Sequence, residues 1–190
     1  MNRLLEMLLA MHPLSNEFQQ ALGKRMVTLS LPKNHILLNA AHVSDDAYFI
    51  ESGFAMSFQY VKGRKHIEEF YPDGKIVVSP LSFFQRLPSK ETIQLLEPSD
   101  VMHISFESVM WLLENFPEAN VIYRITMNSY YEQSRERIRD FQRLTAMQRY
   151  EKMNETYPSV KHLVPLEQIA TYLGIAPQHL SRLRRESDDY

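Results

Sequence analysis

The spacing of hydrophobic residues changes twice along the chain and divides it into three parts. Residues 4–24 show the spacing of an amphipathic helix, interrupted before Ser15, which is a candidate N-cap of a second short helix. From residue 26 to about residue 104, apolar and polar residues alternate in short runs that end at turn residues. This period of two predicts the short strands of an antiparallel roll or sandwich. Helical spacing returns at Ser105, a candidate N-cap, and continues to the end of the chain.

The stretch from Glu118 to about Arg143 contains neither glycine nor proline and predicts one long helix. Along it, mostly apolar residues recur at intervals of four and three, as in the seam of a coiled coil. Two interpretations stay open: the stripe joins two copies of the chain in a homodimer, or it packs on its own roll. The stripe consists of Tyr123, Met127, Tyr130, Ser134, Arg137, Phe141 and Leu144.

The strongest local pattern lies near the C-terminus. A short amphipathic helix carries Ala170 where a crossing helix leaves no space for a larger side chain, and Gly174 then provides a tight turn. Pro177 opens a second helix, in which Leu180 and Leu183 face inward. A helix, a glycine turn and a helix with glutamine and arginine side chains form the pattern of a helix-turn-helix. An ordinary helical hairpin with a solvated basic end is the alternative.

The polar residues of this second helix suit DNA. In the major groove, Gln178 can pair with adenine and Arg182 with guanine O6 and N7. Arg184 and Arg185 are better suited to phosphates, which fix the position of the helix. The predicted DNA-binding residues are Pro177, Gln178, His179, Ser181, Arg182, Arg184 and Arg185.

Composition narrows the classes of function. The 190 residues are 44% hydrophobic and 23% charged, with a net charge of −2, which is ordinary for a globular chain and does not by itself indicate a nucleic-acid partner. The absence of cysteine excludes disulfides, thiolate metal sites, cysteine-ligated iron–sulfur clusters and cysteine nucleophiles. The histidines and glycines form no metal-binding, hydrolase or nucleotide-binding motif. We therefore expect no enzyme, no metal and no cofactor. Because no apolar run reaches the length of a membrane span, we also expect a cytoplasmic location without a membrane partner.

The order of these elements resembles the superfamily of the cyclic-AMP receptor protein and the fumarate–nitrate reduction regulator (Crp/Fnr). The most specific segments are YFIESG and YLGI…LSRLR, together with the hairpin KGRKHIEEFYPDGKIV, and the resemblance covers nearly the whole chain. It implies an α+β fold with an N-terminal antiparallel β-roll, jelly-roll-like and similar to cyclic-nucleotide-binding domains, then a long dimerisation helix and a C-terminal helix-turn-helix. The expected domains are residues 1–117, 118–144 and 145–190.

The resemblance also implies a function. It predicts a homodimeric transcription regulator that reads a near-palindromic site in double-stranded DNA, with RNA polymerase as a further candidate partner. A sensor or protein-interaction module of the same fold, with lost or weak DNA binding, is the alternative function.

The sequence departs from the cyclic-nucleotide-binding members of the superfamily. Val78-Ser79 stands where they carry Gly-Glu, and Ser89 or Lys90 stands near the place of their arginine, while the register does not favour Arg86. A buried phosphate needs a fixed positive partner, for which arginine is best suited. We therefore expect that cyclic AMP is not a tight ligand and that the effector is another molecule or absent. The candidate effector pocket consists of Val78, Ser79, Arg86, Ser89 and Lys90.

Aromatic residues are concentrated in the strand region and at its end. Their main interpretation is the core of the roll, with a minority of them lining a residual effector cavity. The set consists of Phe49, Phe54, Phe58, Phe70, Tyr71, Phe83 and Phe84.

Three further departures motivate the alternative function. Ala176 stands where the superfamily often has a Ser or Thr N-cap before the second helix of the motif. Because the segment between Pro158 and Pro165 is only SVKHLV, residues 159–164, the β-hairpin wing of the superfamily would be very short or missing. The terminal sequence ESDDY would repel phosphate unless it points away from DNA.

Overall fold

The computed structural model describes the backbone of residues 2–188 and the side chains of residues 3–185. Helices α1 (Asn2–Met11) and α2 (Asn16–Arg25) precede the strands. Ser15 caps α2 as the sequence predicts, because its hydroxyl accepts a hydrogen bond from the Phe18 N–H at 3.1 Å.

Within the described residues, the strands form two four-stranded antiparallel sheets, ordered β1-β8-β3-β6 and β2-β7-β4-β5. A buried cluster that includes Ile50 and Val101 from the first sheet and Ile93 and Leu95 from the second lies between them. This arrangement confirms the predicted roll. The strands are β1 (Val27–Leu31), β2 (Ile36–Leu38), β3 (Asp46–Ser52), β4 (Phe54–Val61), β5 (Arg64–Pro72), β6 (Ile76–Val77), β7 (Thr92–Leu95) and β8 (Ser99–Ser105).

A short helix, α3 (Pro80–Gln85), interrupts the strands between β6 and β7 and has no counterpart in the sequence prediction. After β8 comes α4 (Phe106–Asn115), whose first turn is capped by Ser105, as predicted. The long helix α5 (Pro117–Arg143) follows immediately, in agreement with the run that lacks glycine and proline.

The first half of α5 packs on the body of the roll. Ala119 is buried in a cluster with residues of α2, α4 and β8. Further along, the hydroxyls of Tyr130 and Tyr71 lie 3.1 Å apart and join the helix to β5. Burial raises the pKa of Tyr130 to about 12, so this contact stays uncharged at neutral pH.

The C-terminal part is helical: α6 (Ala146–Thr156), α7 (Val160–Leu163), α8 (Leu166–Leu173) and α9 (Pro177–Asp188). Helix α6 begins with a capping box formed by Thr145 and Gln148. The short α7 occupies the segment in which the superfamily has its hairpin wing, as the length of that segment predicts.

These C-terminal helices share a hydrophobic core with the roll. Phe54, Phe58 and Phe70 of the roll belong to the same buried cluster as Ile169 and Leu180 of the helices. The buried cluster therefore continues across residue 144, and the division into three domains stays a prediction.

Candidate nucleic-acid interface and effector pocket

The turn between α8 and α9 has the geometry that a helix-turn-helix requires. Gly174 adopts a left-handed conformation, with φ of 68°, and the Ile175 N–H donates to the Ala170 carbonyl at 3.0 Å. A Cβ atom at Gly174 would lie 2.8 Å from the Phe141 ring of α5. Both the backbone conformation and the close approach of α5 therefore favour glycine here.

Helix α9 has one buried and one outward face. Leu180 and Leu183 are 0% and 6% exposed, and anchor the helix to the core. Gln178, Arg182 and Arg185 are exposed. The other predicted DNA-binding residues are half-buried, namely Pro177, His179, Ser181 and Arg184.

The two ends of α9 bear on the remaining predictions. Ala176 precedes the helix and its carbonyl accepts the Leu180 N–H at 3.1 Å, so the helix starts without a side-chain cap of the Ser or Thr type. The side chains of residues 186–188 and all of residues 189 and 190 lie outside the described part of the chain. The expected effect of the acidic tail therefore stays a prediction.

Hydrogen bonds fix helix α8 to the roll, to α5 and to α6. We call this set of contacts the joint. The Ile67 N–H of β5 donates to the Thr171 hydroxyl at 3.1 Å. The guanidinium of Arg137 lies 3.9 Å from the centre of the Tyr172 ring and donates to the Tyr172 carbonyl at 3.1 Å. Arg149 of α6 donates to the Leu173 carbonyl at 3.2 Å. The sequence pattern does not predict the contacts of the joint, because they connect residues that are far apart along the chain.

A half-buried carboxylate lies close to the joint. The side chain of Glu69 accepts hydrogen bonds from the Phe70 N–H at 3.1 Å and from the Tyr157 hydroxyl at 3.2 Å. Burial nevertheless raises the pKa of Glu69, against the smaller opposing effects of these bonds and of Arg137. Ionisation of Glu69 is therefore less favourable in the folded chain than in water.

The outer face of α5 differs from the predicted seam. Tyr130 and Arg137 contact the same chain, at Tyr71 and Tyr172, which favours the open alternative that this part of the stripe packs within the chain. Instead, Tyr131 and Ile138 are 57% and 54% exposed.

The other seam residues divide between the two faces. Tyr123 packs on Phe84 at 4.8 Å between ring centres, and Met127 lines a pocket inside the chain. Phe141 is 43% exposed, Ser134 is exposed and Leu144 is half-buried. The exposed apolar stripe therefore runs through residues 131, 138 and 141.

The structure brings together three of the five predicted effector-pocket residues. Ser79, Ser89 and Lys90 line a pocket of about 140 Å³, together with the carboxylates of Glu68 and Glu91. Burial, and secondarily the negative charge of Glu91, raise the pKa of Glu68. Two carboxylates against one lysine make this pocket a poor site for a phosphate.

The other two predicted pocket residues, Val78 and Arg86, do not line this pocket. Val78 is buried against an apolar pocket on the other side of α3. Arg86 donates to the Ser44 carbonyl at 2.6 Å, pairs with Asp45 and lies over the Phe106 ring. These contacts hold its guanidinium at the surface beside β3, as the unfavourable register of Arg86 suggests.

The fold has counterparts among solved structures. No protein-family model matches the sequence, and no curated protein is significantly similar to it. A candidate transcriptional regulator of the Crp/Fnr family from Eubacterium rectale superposes with a TM-score of 0.74 at 15% identity, over 91% of this chain and 83% of that one. This chain has the Crp/Fnr-like fold. The c-di-GMP-responsive global regulator CLP of Xanthomonas campestris (TM-score 0.68, 11% identity, 92% of each chain) and FixK2 of Bradyrhizobium japonicum (0.67, 15%, 85% of this chain and 83% of that one) share it.

Residues 2–188 contain no helix that combines the length and the apolar character needed to cross a bilayer. Among the side chains that the structure describes, His, Asp and Glu form no group of three suited to a metal ion.

Proposed function

We propose that this chain is a DNA-binding transcription regulator that reads DNA with α9. The observation that carries the proposal is the outward face of α9. Gln178, Arg182 and Arg185 stay exposed although α8 and α9 are docked on the roll, so the docking leaves the reading face uncovered. The Crp/Fnr-like fold, shared with transcription regulators, supports the same conclusion.

The chemistry follows from the position of each side chain on α9. Gln178 lies in the first turn, which enters the major groove most deeply, and suits adenine. Arg182 lies one turn further on the same side and suits guanine O6 and N7. Arg184 and Arg185 suit the phosphates on either side of the groove.

We further propose that the regulator is a homodimer. The stripe of Tyr131, Ile138 and Phe141 on α5 leaves large apolar side chains exposed along one line, which pairing with a second α5 would cover. Two copies of α9 related by a two-fold axis would read a near-palindromic site. A single module would discriminate poorly against bulk DNA.

Cyclic AMP is not part of this proposal. The pocket that holds Ser79, Ser89 and Lys90 also holds Glu68 and Glu91, and none of the described residues that line it is an arginine. A cyclic phosphate would enter a field dominated by carboxylates without a bidentate partner. Calorimetric titration should therefore detect no micromolar binding, and such binding would contradict this part of the proposal.

The proposal includes no enzymatic step, no metal and no cofactor. The proposal includes a cytoplasmic location, because the proposed binding partner is genomic DNA. Contact with RNA polymerase stays a prediction.

The deciding experiment is selection of bound DNA from a random pool, followed by titration of the selected site. We expect a sequence preference and a steep decrease of affinity with salt. Arg182→Ala should weaken binding to the selected site by about 1–3 kcal/mol, with a smaller effect on unrelated DNA. Arg64→Ala, which removes an exposed arginine from the hairpin between β4 and β5, is the matched control and should leave affinity unchanged. Circular dichroism must show that both variants fold.

The second candidate function is a sensor or interaction module with weak DNA binding. The replacement of the hairpin wing by α7 favours it, because fewer side chains remain to hold the DNA backbone. Weak binding of all sequences alike, with no loss in Arg182→Ala, would support the module and refute the regulator.

A further inference from the structure

An apolar pocket of about 160 Å³ lies between the long helix and the roll, separate from the pocket that contains Ser79 and Ser89. Helices α1, α2, α4 and α5 form one wall, and strands β3, β6 and β8 with helix α3 form the other. The lining includes Leu8, Phe49, Phe83 and Ile122. Phe49, Phe83 and Phe84 in this lining belong to the aromatic set, a minority of which we expect from the sequence to line an effector cavity.

The chemistry of the lining restricts the ligand. Its accessible surface is almost wholly apolar, and no charged side chain of the described residues contributes to it. An anion or a nucleotide would lose its hydration there without compensation. An engineered protein cavity of roughly 150 Å³ binds benzene, so a pocket of this size suits a single ring.

Among the described lining residues, Tyr48, Tyr123 and Thr126 carry hydroxyl groups, and the Tyr48 hydroxyl donates to the Leu37 carbonyl at 3.3 Å. Thr126 of α5 lines the pocket, and its hydroxyl is buried with no hydrogen-bond partner within the described part of the chain. A buried hydroxyl without a partner costs free energy, commonly about 1–3 kcal/mol. A ligand that supplies one donor or acceptor near the hydroxyl would remove this cost.

We propose that this pocket binds a small uncharged molecule, of the size of one aromatic ring, that carries a single hydroxyl or carbonyl group for Thr126. The site is independent of the proposed DNA binding, since it lies on the opposite half of α5 from the joint. Its ligand would touch both α3, through Phe83, and α5, through Ile122 and Thr126. It would therefore brace the long helix against the roll.

The test uses phenol and toluene as probes, because they share a ring and differ in the hydroxyl. Titration of the full chain, followed by amide NMR shifts and by melting temperature, should give saturable binding of both. The largest shifts should fall in residues 47–49, 76–78 and 119–127. Absence of saturable binding for both probes up to their solubility limits, or shifts confined to other regions, would overturn the proposal.

Two variants make the test specific. Ala119→Leu fills the pocket from α5 and should weaken both probes by at least about tenfold. Ala10→Leu adds the same atoms at an exposed position of α1 and should change neither probe. Unchanged binding in folded Ala119→Leu would overturn the assignment of the pocket, and the NMR map of the unaltered chain decides the matter if that variant does not fold.

Thr126→Val separates the two halves of the proposal. It should weaken phenol several-fold and leave toluene within about twofold, because the exchange keeps the shape and removes the hydroxyl. Equal effects on both probes would overturn the role of Thr126.

Discussion

Replacing Gly174 by alanine perturbs two features of the turn at once. The residue has a left-handed backbone, with φ of 68°, and its Cα faces the Phe141 ring of α5. Alanine keeps the chain length and adds one methyl group. The variant therefore tests whether the turn between α8 and α9 is held tightly against the long helix.

The magnitude follows from the two contributions. A side chain in the left-handed region costs about 1–2 kcal/mol relative to glycine. This cost is offset by up to about 1 kcal/mol, because alanine has less conformational entropy than glycine in the unfolded chain. The new Cβ would also lie 2.8 Å from a ring carbon, a distance at which one of the two groups must move. Phe141 is 43% exposed and can turn aside, so we expect about 1 kcal/mol from this contact. The total, about 1–3 kcal/mol, corresponds to a fall of roughly 2–12 °C in melting temperature for a chain of this size.

The assay is thermal unfolding of a double-mutant cycle. Gly174→Ala, Phe141→Ala and the double variant are melted beside the unaltered chain, and the coupling free energy is taken from the four values. Because removal of the ring removes the clash, Gly174→Ala should cost less in the Phe141→Ala background. A coupling of zero would refute the close approach of α5 to the turn, and an unchanged melting temperature in Gly174→Ala would refute the left-handed turn itself.

Two further predictions address the dimer and the joint. Ile138→Ala should weaken self-association about 30-fold in sedimentation equilibrium, because covering the exposed half of this side chain is worth about 1 kcal/mol in each of two copies. The control is Val61→Ala, which shortens another exposed apolar side chain. An unchanged dissociation constant in Ile138→Ala would contradict pairing through the outer face of α5. Glu69→Gln should raise the melting temperature more at pH 8 than at pH 5. Burial raises the pKa of Glu69 in the folded chain, so the stability present below the unfolded-state pKa is lost as pH rises through the folded-state pKa. Glutamine does not ionise, so Glu69→Gln lacks this loss. Parallel profiles of melting temperature against pH for Glu69→Gln and the unaltered chain would contradict this account.

Local chemistry explains why the helix-turn-helix could be predicted from sequence. Gly174, Pro177 and the small Ala170 each have a requirement that only their own neighbourhood sets: a positive φ, a first helical turn and a close crossing. The same holds for the N-caps Ser15 and Ser105. Short α3, by contrast, has six residues and one clear end signal, Pro80, so its pattern is too brief to distinguish from a loop.

The seam on α5 shows where sequence information ends. Intervals of four and three fit two overlapping stripes that share Met127, Ser134 and Phe141. One stripe continues through Tyr130, and the other continues through Tyr131. Only the position of the roll, and of Tyr71 in particular, decides which stripe is covered within the chain. Such a long-range contact leaves no mark on the spacing of residues in the helix.

The joint also depends on contacts between residues that are far apart along the chain. Arg137 reads as a polar interruption of a heptad, yet it stacks on Tyr172 and donates to the carbonyl of that residue. Its other terminal nitrogen, Nη1, is buried without a hydrogen-bond partner in the described part of the chain. The contact is therefore only partly satisfied, which costs free energy because an unpaired polar group is poorly stabilised in a low-dielectric interior.

Helix α5 touches each part of the molecule through a different face. Ile122 and Thr126 face the apolar pocket, Arg137 faces α8 and Ile138 faces outward. Phe141 lies between the last two faces, because its ring is close to Gly174 and is 43% exposed. In a dimer paired along α5, the contacts of Arg137 and Phe141 with α8 would then set the separation of the two copies of α9. A change in the tilt of α5 would alter that separation, since packed elements move as rigid bodies.

The separation can be measured directly, because the chain contains no cysteine. A single Ala176→Cys substitution places one spin label at the start of each α9. With selected DNA bound, we expect one narrow distance distribution between the two copies, corresponding to half-sites about one turn of DNA apart. Phe141→Ala should broaden the distribution in the absence of DNA, because it loosens the turn from α5. A distribution that stays equally narrow in Phe141→Ala would mean that contacts other than α5 orient the reading helices.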